Sequence, residues 1–332
     1  MSQVSPAKVK ASQLVCVFLV VKDAQKTMEN YWNILGIGPW DILSWEAPLV
    51  YDYRYRGKPA QGRAKVAKTD VGPVLFELGE HLDGDTPYPE FLMKHGEGLQ
   101  HLGFTVQNLE DVDKTAEILA KEGYPSLVSG RYGDNGAYNY IDMTQPLHAI
   151  WETYHMADNM GVKPPRYPDT VQTSPAKVKV NSIQQVGIVV KDVWKTVENY
   201  WNILGIGPWD VYEAVPPTFH DVIYRGKPGN PTMRIAFATV GQVQIGLLQS
   251  ISGDNICSDF IAEHGEGLFY LQFLVDDINE TTRIMNKEGF ATLMSGGFSD
   301  GAFAFYDTAR SLKAIWVALQ PAKMWLPMIR YP

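Results

Sequence analysis

The chain has little sulfur chemistry to offer. Its 332 residues hold two cysteines, Cys16 and Cys257, at unmatched places, which excludes a disulfide framework. It has no long apolar run either. The first one, residues 14–21, is far too short to span a bilayer, and this argues against a membrane partner. Basic charge is also scarce. The net charge is −8 with Lys and Arg scattered along the chain, whereas a nucleic-acid partner requires a basic face. GxGxxG, Walker, CxxC and HExxH signatures are absent, and Ser, Cys and His form no local nucleophile motif. A cytoplasmic, soluble protein with a small-molecule partner is the expectation.

What is present is repetition. Residues 29–41 (ENYWNILGIGPWD) recur letter for letter at 198–210, residues 5–10 (SPAKVK) at 174–179, and residues 95–98 (HGEG) at 264–267. The offset of 169 residues is domain-sized, so the chain reads as two copies of one domain. The copies span 1–155 and 182–332, joined by a linker at 156–181 that is stiffened by Pro164, Pro165 and Pro168. Arg166-Tyr167-Pro168 returns as Arg330-Tyr331-Pro332, which predicts a tail packed back on each copy.

Within a copy, residues 14–21 read as a buried strand and 24–35 as a helix. Asp23 is its N-cap, Gly36 its stop, and Met28, Tyr31, Trp32 and Leu35 form one face. Short strands follow at 40–45, 49–56 and 74–78, broken by Pro48, Gly57 and Gly72-Pro73. The order repeats with strands at 99–106, 138–141 and 148–154 around a helix at 109–122. Each copy is therefore two βαβββ units, and the fold class is α+β with four such units.

Aromatic residues are dense on these strands. Tyr51, Tyr53 and Tyr55 alternate, so strand geometry places them on one face. With Trp40, Tyr138, Tyr140 and, in the second copy, Tyr270, they are candidate walls of a large apolar pocket suited to an aromatic carbonyl compound. Packing on the convex side of the sheet is an equally open reading.

Residues 185–192 (QVGIVVKD), Phe91-Leu92 followed by HGEGL at 95–99, HLGF at 101–104 and ELGE at 77–80 together resemble the vicinal oxygen chelate superfamily. That superfamily includes glyoxalase I, methylmalonyl-CoA epimerase, bleomycin-resistance proteins and extradiol dioxygenases. The epimerase branch is the nearest resemblance. It implies two cupped, barrel-like sheets in a covalent pseudo-dimer, with further homodimerisation left open. It also implies metal ligands at Cys16, Glu77, His101 and Glu152, with Cys16 standing where the family has His or Gln. The matching positions of the second copy are Gln185, Gly246, Tyr270 and Val317, which cannot hold an ion.

The expected activity is that of an isomerase, such as an epimerase, or a related lyase. Glu77, Glu152 and His101 would move a proton next to a carbonyl, with or without a divalent ion such as Zn, Co, Ni, Mn or Mg. Sequestration of a small molecule without chemistry is the alternative. An extradiol dioxygenase ranks last, because that group normally keeps its iron ligands in the C-terminal copy.

Overall fold

The computed structural model describes residues 4–332, so the first three residues of the 1–155 span lie outside it. The first half runs β1 (Cys16–Val21), α1 (Ala24–Leu35), β2 (Trp40–Trp45), β3 (Val50–Tyr55), β4 (Lys58–Pro59), β5 (Gly62–Val71) and β6 (Val74–Gly84). It continues with α2 (Tyr88–His95), β7 (Gly98–Thr105), α3 (Leu109–Lys121), β8 (Ser126–Tyr132), β9 (Gly136–Met143), β10 (Ala149–His155) and β11 (Arg166–Tyr167). Helix α1 forms where its sequence predicts. The Asp23 carboxylate accepts from the Lys26 amide at 2.8 Å, and Gly36 ends the helix in the left-handed region with φ of 70°.

The eleven strands make one sheet in the order β11-β2-β5-β6-β1-β7-β10-β9-β8-β3-β4. Three departures from the sequence reading shape it, the first being that β8, Ser126–Tyr132, was not read as a strand. The long strand β5 was not legible, because its Lys residues interrupt the apolar pattern. And β3 leaves its own unit to pair with β8 at the far edge. β2 and β3 thus lie eight strand positions apart in the order, yet only residues 46–49 join them. At about 4.8 Å per strand a flat sheet would separate them by roughly 38 Å. The connection reaches at most about 18 Å. The sheet must therefore curl into a cup, and the second half, with an eleven-stranded sheet of the same order, does so too.

The halves interlock. Residues 5–14 lie on the second half, where the Ala11 amide donates to Leu204 O at 2.9 Å and the Leu14 amide to Val240 O at 3.1 Å. Residues 174–183 lie on the first half, where Val180 donates to Leu35 O at 2.8 Å and Ile183 to Val71 O at 3.2 Å. The two SPAKVK arms are thus exchanged. The repeated Asn-Tyr pair docks the halves as well. Asn30 and Tyr31 donate to Ser311 O and Leu312 O at 2.9 and 2.6 Å, and Asn199 and Tyr200 to Pro146 O and Leu147 O at 3.0 and 2.8 Å. Both tails close an edge: Arg166 bonds Asp41 at 2.8 Å, and Arg330 bonds Asp210 at 2.6 Å. One apolar core runs through both halves and holds Trp40, Trp151, Trp209 and Trp316. Among the described residues no helix is long and apolar enough to cross a membrane.

Candidate active site in the first cup

β1, β6, β7 and β10 are neighbours in the middle of the sheet, and each delivers one polar side chain to the concave face. β1 brings Cys16, β6 Glu77, β7 His101 and β10 Glu152. Cys16 Sγ, His101 and the Glu152 carboxylate offer atoms that all lie within 4.8 Å of one another. Cys16 Sγ is 3.5 Å from Glu77 Oε2, and His101 Nε2 is 3.6 Å from Glu152 Oε2. Gly103 leaves the room for this. A Cβ there would meet Cys16 Cβ at 2.8 Å and Glu152 Oε2 at 3.1 Å.

The surroundings are apolar. Phe18 stacks on the His101 ring at 4.4 Å, and Tyr140 tilts against it at 4.3 Å. Burial therefore holds the imidazole neutral, lowering its pKa to about 3. Burial and the neighbouring Glu152 raise Glu77 to about 7, and burial raises Glu152 to about 8. The Cys16 thiol is pushed well above its usual value by burial and then by Glu77. At neutral pH the pair of carboxyls holds protons that exposed glutamates would have lost.

His101 Nε2 is a buried atom without a hydrogen-bond partner. A buried nitrogen is seldom left so. A thiol, this free imidazole nitrogen and a carboxylate converging from three strands fit a divalent ion, and the sulfur and nitrogen donors suit zinc better than magnesium.

The candidate walls divide. Tyr138 and Tyr140 pack in the first cup, and Tyr53 lines a cavity of about 20 Å³ beside them, with Trp45 and Tyr88. Tyr55 sits at the cup's margin, its hydroxyl 3.4 Å from Glu90. Tyr51 does not share their face. Asp52 adopts a left-handed φ of 50°, the pairing with β8 shifts register there, and Tyr51 is left 40% exposed. Trp40 belongs to the convex core with Tyr31 and Phe76, at 5.8 and 5.7 Å. Tyr270 stays in the second cup. Tyr132 and Tyr154, two further aromatics of the second unit's strands, pack beside Cys16, and Phe18, Tyr88 and Gly103 surround the site without having been singled out. Gly103 lies two residues from the predicted ligand His101, but what it makes room for belongs to the neighbouring strands.

In the second cup, the Tyr270 hydroxyl donates to Gln185, whose amide donates to Gln244. The Tyr270 ring fills the space over Gly187, where an added Cβ would meet it at 1.9 Å, and Gln185 Oε1 lies over Gly246, where an added Cβ would meet it at 2.9 Å. Phe219, Phe298, Phe303 and Phe305 pack the remainder. A cavity of about 640 Å³ lies between the halves, with Gln100, Leu127 and Ile150 of the first half in its lining.

A curled pair of sheets with a polar cluster on the concave face of one defines a glyoxalase-type architecture, and the chain belongs to the glyoxalase/bleomycin resistance protein/dioxygenase superfamily. The family model matches residues 17–140 and again 184–305. Among solved structures, a triple mutant of 4-hydroxymandelate synthase from Streptomyces coelicolor is similar at 16% identity, with 96% of this chain and 95% of that chain covered and a TM-score of 0.59. A xylose isomerase-like TIM barrel/4-hydroxyphenylpyruvate dioxygenase fusion protein aligns at 11% identity over 97% of this chain and 51% of its own, with a TM-score of 0.50. A methylmalonyl-CoA epimerase aligns at 18% identity with 46% of this chain and 99% of its own, with a TM-score of 0.35. These likenesses show the fold and do not single out the epimerase branch. A comparison with curated proteins finds no significant match.

Proposed function

We propose that the first half is an isomerase, or a related lyase, that moves a proton on a carbon next to the carbonyl of an apolar small molecule. One observation carries this reading: two carboxyls, Glu77 and Glu152, are buried together with pKa values near 7 and 8, in one half only. General acid–base catalysis is most effective when the group's pKa lies near the working pH. At neutral pH the ionised member of the pair removes the proton, and the protonated member returns one. Neutral His101 accepts or relays a proton through Nε2. The phenols of Tyr138 and Tyr140 face the same space and supply donors for a developing enolate oxygen. Cys16, His101 and Glu152, with Glu77 beside them, would hold a divalent ion, which supplies polarisation of the carbonyl when bound. The cavity on the far side of Tyr138 and Tyr140, about 20 Å³, holds about one water and is not lined by the four polar residues, so the tyrosine wall must move to admit a substrate to them.

The likeness to 4-hydroxymandelate synthase and the dioxygenase fusion protein favours a second reading, oxidation of an aromatic keto acid. The donor set speaks against it: the first cup's cluster holds one imidazole, short of two histidines and a carboxylate, and the matching positions of the second cup are Gln185, Gly246, Tyr270 and Val317.

Deuterium uptake from D₂O into a panel of aryl ketones, aldehydes and acyl thioesters tests the proposal. Glu77→Gln and Glu152→Gln are expected to lower the rate by about 10²–10⁴-fold with the fold intact. Metal content is measured alongside, since a lost ligand removes both. If both variants keep the parent rate, the catalytic carboxyls are elsewhere. Oxygen consumption with aromatic keto acids and added iron would favour the second reading.

A further inference from the structure

We infer that Gln100 is a positioning residue that fixes which nitrogen of His101 carries the proton. Neighbouring residues of a regular strand point to opposite faces, so adjacent side chains do not normally bond. β7 breaks this rule at one place. His101 pairs with Phe18 of β1 and Leu99 pairs with Leu19, which leaves Gln100 as the extra residue of a β-bulge. The bulge turns its side chain toward the imidazole, and Gln100 Oε1 lies 3.1 Å from His101 Nδ1.

An amide oxygen can only accept. Nδ1 must then donate, and the remaining proton-free nitrogen is Nε2, the atom that faces Glu152. Gln100 is 3% exposed, so water does not compete for the ring. With the amide oriented so, the two alternatives are costly. With Nε2 protonated, the Nδ1 and Oε1 lone pairs would face each other in a dry site. A ring rotated away from Gln100 is blocked by Phe18 and Tyr140 on its two faces.

The second half is a built-in comparison. Its strand Gly267–Leu274 carries the same bulge, with Tyr270 paired to Gly187 and Leu268 to Ile188. The extra residue there is Phe269, which stacks in the aromatic core. The bulge belongs to the fold, whereas the amide accompanies the imidazole alone.

An Nε2 lone pair aimed at the carboxyls is what a proton acceptor or a metal ligand needs, and the partner on the opposite nitrogen is what holds it there. This assignment rests on His101 being part of the site, but the tautomer is measured without substrate and so stands or falls apart from the catalytic reading.

The test is imidazole ¹⁵N NMR of the full-length, metal-free protein labelled at histidine, with His101→Asn to identify the signals. The wild type is expected to show His101 as the Nδ1–H tautomer. Gln100→Glu keeps an acceptor and should keep that tautomer. Gln100→Leu, similar in size, should move His101 to a mixture or to Nε2–H. An Nε2–H tautomer in the wild type, which the opposite amide orientation would impose, overturns the inference. So does a Gln100→Leu protein whose tautomer is unchanged. Should Gln100→Leu fail to fold, the wild type and Gln100→Glu decide.

Discussion

Glu77 and Glu152 make the protein sensitive to pH in an unusual direction. A carboxyl with a folded pKa above its unfolded value near 4.5 stabilises the fold fully below that value and loses its contribution as pH rises. The loss runs from about 4.5 to about 7 for Glu77 and to about 8 for Glu152. His101 acts oppositely: its folded pKa is lowered, so its contribution is complete above 6.5 and fades toward about 3. Of these three groups, two oppose one between 4.5 and 6.5, and only the carboxyls act above 6.5. Denaturant unfolding of metal-free protein should therefore show stability falling between pH 6.5 and 8, by at most about 1.4 kcal/mol per pH unit for each carboxyl. Glu152→Gln should flatten that slope, and an unchanged slope would refute the protonated pair. These residues could be placed from sequence because the family resemblance fixes their strands. Tyr51 was misplaced for a local reason: alternation assumes extended backbone, and the left-handed Asp52 reverses the strand's facing in the middle of the run. Gly103 and Gln100 went unread because each acts through packing against another strand, information that the local pattern lacks.

At the scale of elements, the repeated segments explain one another. The thirteen-residue repeat is the docking surface of the halves, with Asn30 and Tyr31 answering Asn199 and Tyr200 across the interface. The SPAKVK repeat supplies the exchanged arms. Ser5 Oγ donates to Trp201 O and Ser174 Oγ to Trp32 O, both at 2.5 Å. Lys313 meets Glu97 at 2.8 Å where His148 meets Glu266 at 3.6 Å, so even the cross-half polar contacts come as an equivalent set. Sequence revealed the repeats and the returning tails, but a repeat does not say which copy its segment contacts. Deleting residues 1–13 removes the buried side chains Ala7, Val9 and Ala11 from the second half. The expected cost is on the order of 2–4 kcal/mol. Hydrogen exchange should locate the loss in the helix Val193–Leu204, on which that arm lies, and not in α1. Protection lost first in α1 would mean that the arms are not exchanged in solution.

At the scale of the whole molecule, one cup has kept a polar centre and its twin has been filled. The difference lies in a few positions. Where the first cup has Glu77, His101 and Glu152, the second has Gly246, Tyr270 and Val317. The glycines and the tyrosine go together, because the ring occupies the volume that a side chain at Gly187 would need, and Gln185 with the Tyr270 hydroxyl occupies that at Gly246. The second half thus serves as a rigid partner that buries α1 and receives the first arm, and separately expressed halves would each lack a docked arm. Zinc titration should accordingly use the full chain. One ion per chain is the expected stoichiometry, lost in His101→Ala. Tyr270→Phe removes the hydroxyl that holds Gln185, so it should lower stability by about 1 kcal/mol while leaving zinc binding and proton exchange near the parent values. Two ions per chain, or loss of binding in Tyr270→Phe, would return the second cup to the chemistry. Retention of a full equivalent of zinc in His101→Ala would remove the first.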